Sequence, residues 1–176
     1  MRHPHHKNGF TIFFAVLVTS LTLAVGIAIY DLTVRELELA SVANQSQYAI
    51  NAADSGAECA LYWDSKCVAP GCSVGSAFAT SSVYQGATLN SGLSCNSMDI
   101  TGSSGAWNVQ TAIQGGITYA TTTFMLYFAP QPYCAKVTVA KKTTAVTFYT
   151  TVTAHGYNTC ASGAATQLER ILQLSY

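Results

Sequence analysis

Three carboxylates, Asp54, Glu58 and Asp64, stand at spacings of four and six residues. Paired carboxylates are the machinery of acid–base chemistry, one holding a proton while the other stays ionised. On a helix, Asp54 and Glu58 would share a face. Nothing in the surrounding pattern encloses that face in a cleft, so it reads as a solvated helix surface rather than a reaction site. His155, followed by Gly156 and Tyr157, is the one histidine beyond the first few residues and reads as a turn histidine. His3, His5 and His6 form a denser cluster, which adds pH-dependent charge at the amino end. No phosphate-cradling G-x-x-x-x-G-K, nucleophile-elbow G-x-S-x-G or zinc-protease H-E-x-x-H pattern occurs. Six cysteines, Cys59, Cys67, Cys72, Cys95, Cys134 and Cys160, form no C-x-x-C pair. An even number without zinc spacing suits disulfides in an oxidising compartment better than a metal site. The expectation is a chain that is not an enzyme, with no catalytic residue, no metal and no cofactor.

The elements that hold these residues follow from composition. A chain of 176 residues supports one modest core plus an extended element. Only 9% of residues are charged against 49% hydrophobic, far from the balance of an ordinary soluble domain. Eight basic and eight acidic residues cancel, so there is no cationic field for nucleic acid and no nucleic-acid contact is expected. The apolar excess is concentrated in Phe10 to Tyr30, FTIFFAVLVTSLTLAVGIAIY, with no charge from Asn8 to Tyr30. About 20 such residues match a hydrocarbon core of about 30 Å, and the hydroxyls of Thr11, Thr19, Ser20 and Thr22 can bond back to helix carbonyls. Arg2 and Lys7 before the span, against Arg35 after it, favour a cytoplasmic amino end and an extracytoplasmic remainder.

Three processing fates fit this segment. Small residues at Gly26-Ile27-Ala28 would allow a secretory cut after Ala28, although the run exceeds the about 7 to 15 residues of a usual signal core. A single-pass anchor for an extracellular binding module would need no cut. A short basic leader ending in Gly9 and followed at once by Phe10 would suit cleavage between those two residues. Beyond the span, Leu32, Leu37, Leu39, Val42, Ala43, Tyr48, Ala49, Ile50, Ala52, Ala53, Ala57, Ala60 and Leu61 recur at helical spacing. No proline intervenes between Pro4 and Pro70. One helix from Phe10 to about Trp63 is predicted, roughly 80 Å at 1.5 Å per residue. Asp31 and Arg35, four apart, support its exposed turn. Gly26 and Gly56 mark a bend or a close helix neighbour.

The run GFTIFFAVLVTSLTLAVGIAIYDLTVRELELASVANQSQYAINAADSGAECALYW resembles the amino-terminal region of type IV pilin-like proteins, especially minor pilins of the PilX type. It covers about a third of the chain. The resemblance implies cleavage after Gly9 by prepilin peptidase and methylation of the new amino group on Phe10. It also implies a helix whose membrane half later packs in a filament centre and whose second half packs on a globular head. Other pilin subunits, the pilus assembly platform and the membrane are the implied partners. One residue departs from the pattern. The family commonly carries glutamate at the fifth mature position, pairing it with the amino terminus of a neighbouring subunit, and Phe14 stands there instead. In related pseudopilins, a subunit lacking this acid suits the filament tip.

After Trp63 the composition turns to Ser, Thr, Gly, Ala and Tyr. Pro70-Gly71, between Cys67 and Cys72, predicts a stapled turn, with Cys67–Cys72 the favoured local bridge. The other four cysteines allow three connectivities, of which Cys59–Cys95 with Cys134–Cys160 is one. Gly116 to Ala129 predicts a buried strand or two short ones. Ala135 to Ala140 and Thr144 to Ala154 predict a hairpin with Lys141 and Lys142 at its turn. Thr166 to Tyr176 predicts a final strand, with Glu169 and Arg170 solvated at its entry. Ten tyrosines suit strand structure, and their amphipathic rings also suit adhesive contacts. The predicted organisation is a leader over 1–9, a long helix over 10–63 with its membrane span at 10–30, and a disulfide-stabilised head over 64–176. The fold class is α+β, with three or four antiparallel strands laid on the second half of the helix.

Overall fold

The computed structural model describes residues 9–65, 76–79, 92–144, 147–161, 164 and 166–176. Helix α1 spans Gly9–Ser65, beginning one residue before and ending two residues after the predicted bounds, and the chain divides into two compact units at Ala43/Asn44. Without an internal proline, the backbone ladder of α1 is uninterrupted.

In the first unit, every residue from Phe10 to Ala43 is exposed. α1 is long and apolar enough here to cross a membrane. Its hydroxyls turn back onto its own carbonyls: Thr19 Oγ1 donates to Ala15 at 2.9 Å, Ser20 Oγ to Leu17 at 2.8 Å and Thr22 Oγ1 to Thr19 at 2.9 Å. Such bonds give these hydroxyls an acceptor within the helix itself, along an otherwise apolar stretch.

The second unit is α+β. A short hairpin, β1 (Ser94–Cys95) and β2 (Met98–Asp99), precedes a 3₁₀ turn at Ser103–Gly105. A five-stranded antiparallel meander follows, in spatial order β3 (Asn108–Gln114), β4 (Ile117–Tyr127), β5 (Cys134–Thr143), β6 (Phe148–Tyr157) and β7 (Glu169–Ser175). Gly115 and Gly116, at φ of 59° and 78°, form the two-residue turn between β3 and β4. Both central positions of a type I′ turn need positive φ, which glycine adopts without strain.

Alternation along the strands decides which face meets the helix. Phe124 and Leu126 of β4, Ala135, Val137 and Val139 of β5, and Val152 and Ala154 of β6 are all buried. Facing them on α1 are Ala49, Ala52, Ala53, Ala57 and Ala60, also buried. Small residues at this spacing let the two backbones approach closely. A Cβ on Gly156 would lie 2.0 Å from the Ala49 carbonyl oxygen and 2.5 Å from the Ala53 nitrogen. Gly56 is likewise a point of close approach, to a strand rather than to another helix, its missing Cβ 2.8 Å from Val137. Stacked rings of Phe78, Trp107 and Phe124, with centroids 5.7 to 6.1 Å apart, extend the core beyond the helix.

Three expectations need correction. The sheet has five strands rather than three or four, because the half-polar edge strand β3 carries little apolar alternation. Lys141 and Lys142 lie within β5, and Thr144 and Thr147 close the connection instead, with Thr144 N donating to Thr147 O at 2.9 Å. Lys141 is held in the strand by a carboxylate waiting on its inward side. His155 is inside β6, not in a turn, because the ladder to β7 continues through it to Tyr157.

Candidate functional site

The predicted processing junction is the start of α1. Phe10 is 77% exposed and Phe14 is 60% exposed, so both rings are presented outward from a helical backbone. An apolar ring at position 14 offers neither charge nor hydrogen bond to an amine, whatever meets it. Gly9 belongs to the helix, and residues 1–8, including His3, His5 and His6, lie outside the described residues.

Of the cysteines, Cys59 on α1 is bridged to Cys95 in β1, and Cys134 at the start of β5 is bridged to Cys160 after β6. The first bridge ties the helix to the loop region. The second ties the central strand to the segment leading into β7. Closing stretches separated by 36 and 26 residues restricts the unfolded chain, a stabilisation of about 3–4 kcal/mol for loops of this size. Cys67 and Cys72, the predicted local bridge, lie outside the described residues.

The carboxylates separate into two kinds. Asp54 and Glu58 are exposed on α1, as predicted for a solvated face. Asp64 does not join them. It forms a buried ion pair with Lys141, the side chains being 7% and 10% exposed. Asp64 also accepts from the Ser76 hydroxyl and from the Tyr176 phenol at 2.6 Å. Burial pushes the Asp64 carboxyl up, but the bonds from Lys141, Ser76 and Tyr176 outweigh it and hold the group below its ordinary range. Burial and the Asp64 charge together push the Tyr176 phenol well up. The cluster clamps the end of α1 to β5 and to the residue after β7. Its chemistry is structural, since every acceptor of the carboxylate is occupied by a donor of the protein itself.

A second cluster lies on the outward side of β6 and β7. His155 Nδ1 meets Glu169 Oε1 at 2.5 Å, and the Tyr157 hydroxyl donates to the same oxygen at 3.1 Å. The hydrogen bond from His155 is the main cause that holds Glu169 below the usual carboxylate range. Glu169 is thus engaged rather than simply solvated, and Arg170 bonds Ser46 on α1 through Nε at 2.9 Å. The position of Lys141 was available from alternation: Ala135, Val137, Val139 and Lys141 share one parity. The partnerships of Ser76, Tyr157 and Tyr176 had no local signal, because each depends on contacts distant in sequence. Among the described residues, no three His, Cys, Asp or Glu side chains gather as metal ligands.

No protein-family model, curated protein or solved structure matches this chain. Functional inference therefore rests on the residues and their geometry.

Proposed function

We propose that this chain is a minor subunit of a type IV pilus or related pseudopilus, with a non-enzymatic role. The observation that carries the reading lies in the first unit: a helix beginning at Gly9, with every residue from Phe10 to Tyr30 uncharged and exposed. A helix that is apolar all round needs a lipid or helical surrounding. The membrane would supply the first before assembly, with the amino end cytoplasmic and the disulfide-bonded head outside. Neighbouring subunits in a filament at the cell surface would supply the second. Prepilin peptidase would cut between Gly9 and Phe10, and the assembly platform would then move the helix from lipid to filament. Phe14 favours a position at the filament end, where no subunit ahead requires a partner for its amine.

The same exposed helix would serve a single-pass anchor for a binding module, and a cut after Ala28 would release a secreted domain. Mass spectrometry of the mature amino terminus after co-expression with a prepilin peptidase separates the three. Methylated Phe10 is expected, whereas intact Met1 would indicate the anchor and Ile29 the secreted domain. Gly9→Val should block leader removal, and normal processing of that variant would reject the proposal. Immunogold labelling should mark filament ends, and uniform labelling of the shaft would reject the tip position.

A further inference from the structure

The outward face of the sheet repeats across its three central strands. In the ladder, Tyr119, Lys142 and Tyr149 stand side by side on β4, β5 and β6. The next outward row is Thr121, Ala140 and Thr151, and the one after is Thr123, Thr138 and Thr153. Met125, Lys136 and His155 close the series. The central strand is thus a low floor of Ala140 and Thr138 with a lysine at each end. It is flanked on both sides by the same order of Tyr, Thr and Thr. Two strand spacings put the tyrosine positions about 10 Å apart, and six residues put the lysine positions about 20 Å apart along β5.

The polar groups of this floor are uncommitted. Among the described residues, the hydroxyls of Thr121, Thr123, Thr138 and Thr153 have no hydrogen-bond partner, and Lys136 has no ion pair, whereas Thr151 meets Ser175 at 3.3 Å. Lys142 Nζ lies over the Tyr119 ring, 6.0 Å from its centroid, and Tyr149 is 55% exposed. The carboxylate of Glu169, at the edge of the face, is already occupied by His155 and Tyr157. Two exposed ammonium groups, Lys136 and Lys142, against that one carboxylate leave the face with a net positive charge.

We propose that this face binds an acidic polysaccharide, a sugar chain bearing carboxylates, laid along β5. The tyrosine rings offer flat apolar surfaces to the C–H faces of sugar rings while their hydroxyls stay in water. The threonine row offers hydroxyls that donate and accept, matching sugar hydroxyls. Lys142 and Lys136 offer charge-assisted hydrogen bonds to carboxylates at separated points of the chain. A nucleic acid carries a charge at every nucleotide and draws its affinity from many cations, which two lysines do not supply. A neutral glycan would leave the charge of both ammonium groups unmatched. The proposal is independent of how the leader is processed.

The test uses the full chain in detergent micelles over surfaces bearing polygalacturonate, neutral dextran or oligodeoxythymidylate. Binding to polygalacturonate that weakens with salt is expected. Tyr119→Ser/Tyr149→Ser should weaken it about tenfold or more, and Tyr149→Phe, which keeps the ring, should stay within about twofold. Lys136→Gln/Lys142→Gln, at two exposed positions, should weaken it about tenfold and flatten the salt dependence. Thermal melting identifies any variant that has lost its fold, and the lysine pair carries the test if the tyrosine pair has. The proposal is overturned by absence of binding to polygalacturonate or by equal or tighter binding to dextran or the oligonucleotide. Unchanged binding by folded variants of both pairs also overturns it.

Discussion

The two units use one helix in opposite ways. From Phe10 to Tyr30, α1 presents Phe, Leu, Ile and Val, and all of them are exposed; from Ala49 to Ala60, its inward positions are alanine, Gly56 and the bridged Cys59, and all of them are buried. The more apolar half is thus the one without an internal partner. Large side chains projecting all round a helix fill space against surroundings that can adapt, such as lipid or other helices. Alanine and glycine on one stripe fix a short distance to one rigid neighbour. Size pattern, more than hydrophobicity, distinguishes an outward surface from an inward seam.

The largest expected effect comes from widening the seam. Gly156→Ala places a carbon against the α1 backbone at Ala49 and Ala53, where no side chain can rotate aside. A loss of more than about 3 kcal/mol in unfolding free energy is expected, followed by tryptophan fluorescence in denaturant. A loss below about 1 kcal/mol would mean that the helix and sheet are not held at this distance.

The clamp beyond the seam should be nearly as sensitive. Lys141→Met leaves Asp64 buried without its cation and should cost about 3–5 kcal/mol. Asp64→Leu/Lys141→Met replaces both charges by apolar groups and should recover most of that loss. If the double variant is no better than the single one, the pair is not the reason Lys141 faces inward.

Much of this division is readable in sequence, and its gaps have physical causes. The extent of α1, its apolar first half and the strands β4 and β7 follow from local periodicity. The bridges Cys59–Cys95 and Cys134–Cys160 belonged to one of three allowed pairings, and only folding selects among them. β3 escaped because an edge strand need not be apolar. Asp64 was grouped with Asp54 and Glu58 by spacing, yet it points to a lysine 77 positions away in sequence. The glycine at 156 carried no signal of close approach, since its partners at Ala49 and Ala53 lie across the core.

A smaller effect should appear on titration. The Asp64 carboxyl is held below its ordinary value of 3.8 and that of Glu169 below 4.5. Folding therefore favours both ionised, and their contributions are complete above those ordinary values and lost as pH falls through the lower folded values. Tyr176 is raised above its ordinary 10.0, so its contribution is complete below that pH and lost as pH rises toward the folded value. Melting temperature should show a plateau between about pH 5 and 9.5, with Tyr176→Phe reducing the alkaline decline. An unchanged alkaline limb in that variant would remove Tyr176 from the account.

The smallest effect on the head is expected from the first unit, and it tests the comparison most directly. A Cβ at Gly26 meets nothing within 4 Å, so Gly26→Ala should change unfolding of the head by no more than about 0.5 kcal/mol. Val16→Asp should be equally silent in that measurement, because Val16 is 62% exposed. In a bilayer the same carboxylate costs about 2.5–3.5 kcal/mol near the centre of a span. The variant should therefore lower the membrane-bound share on cell fractionation while the head keeps its melting temperature. Loss of head stability in Val16→Asp would show that the two halves of α1 are energetically coupled, and an undiminished membrane-bound share would mean that Val16 does not face lipid.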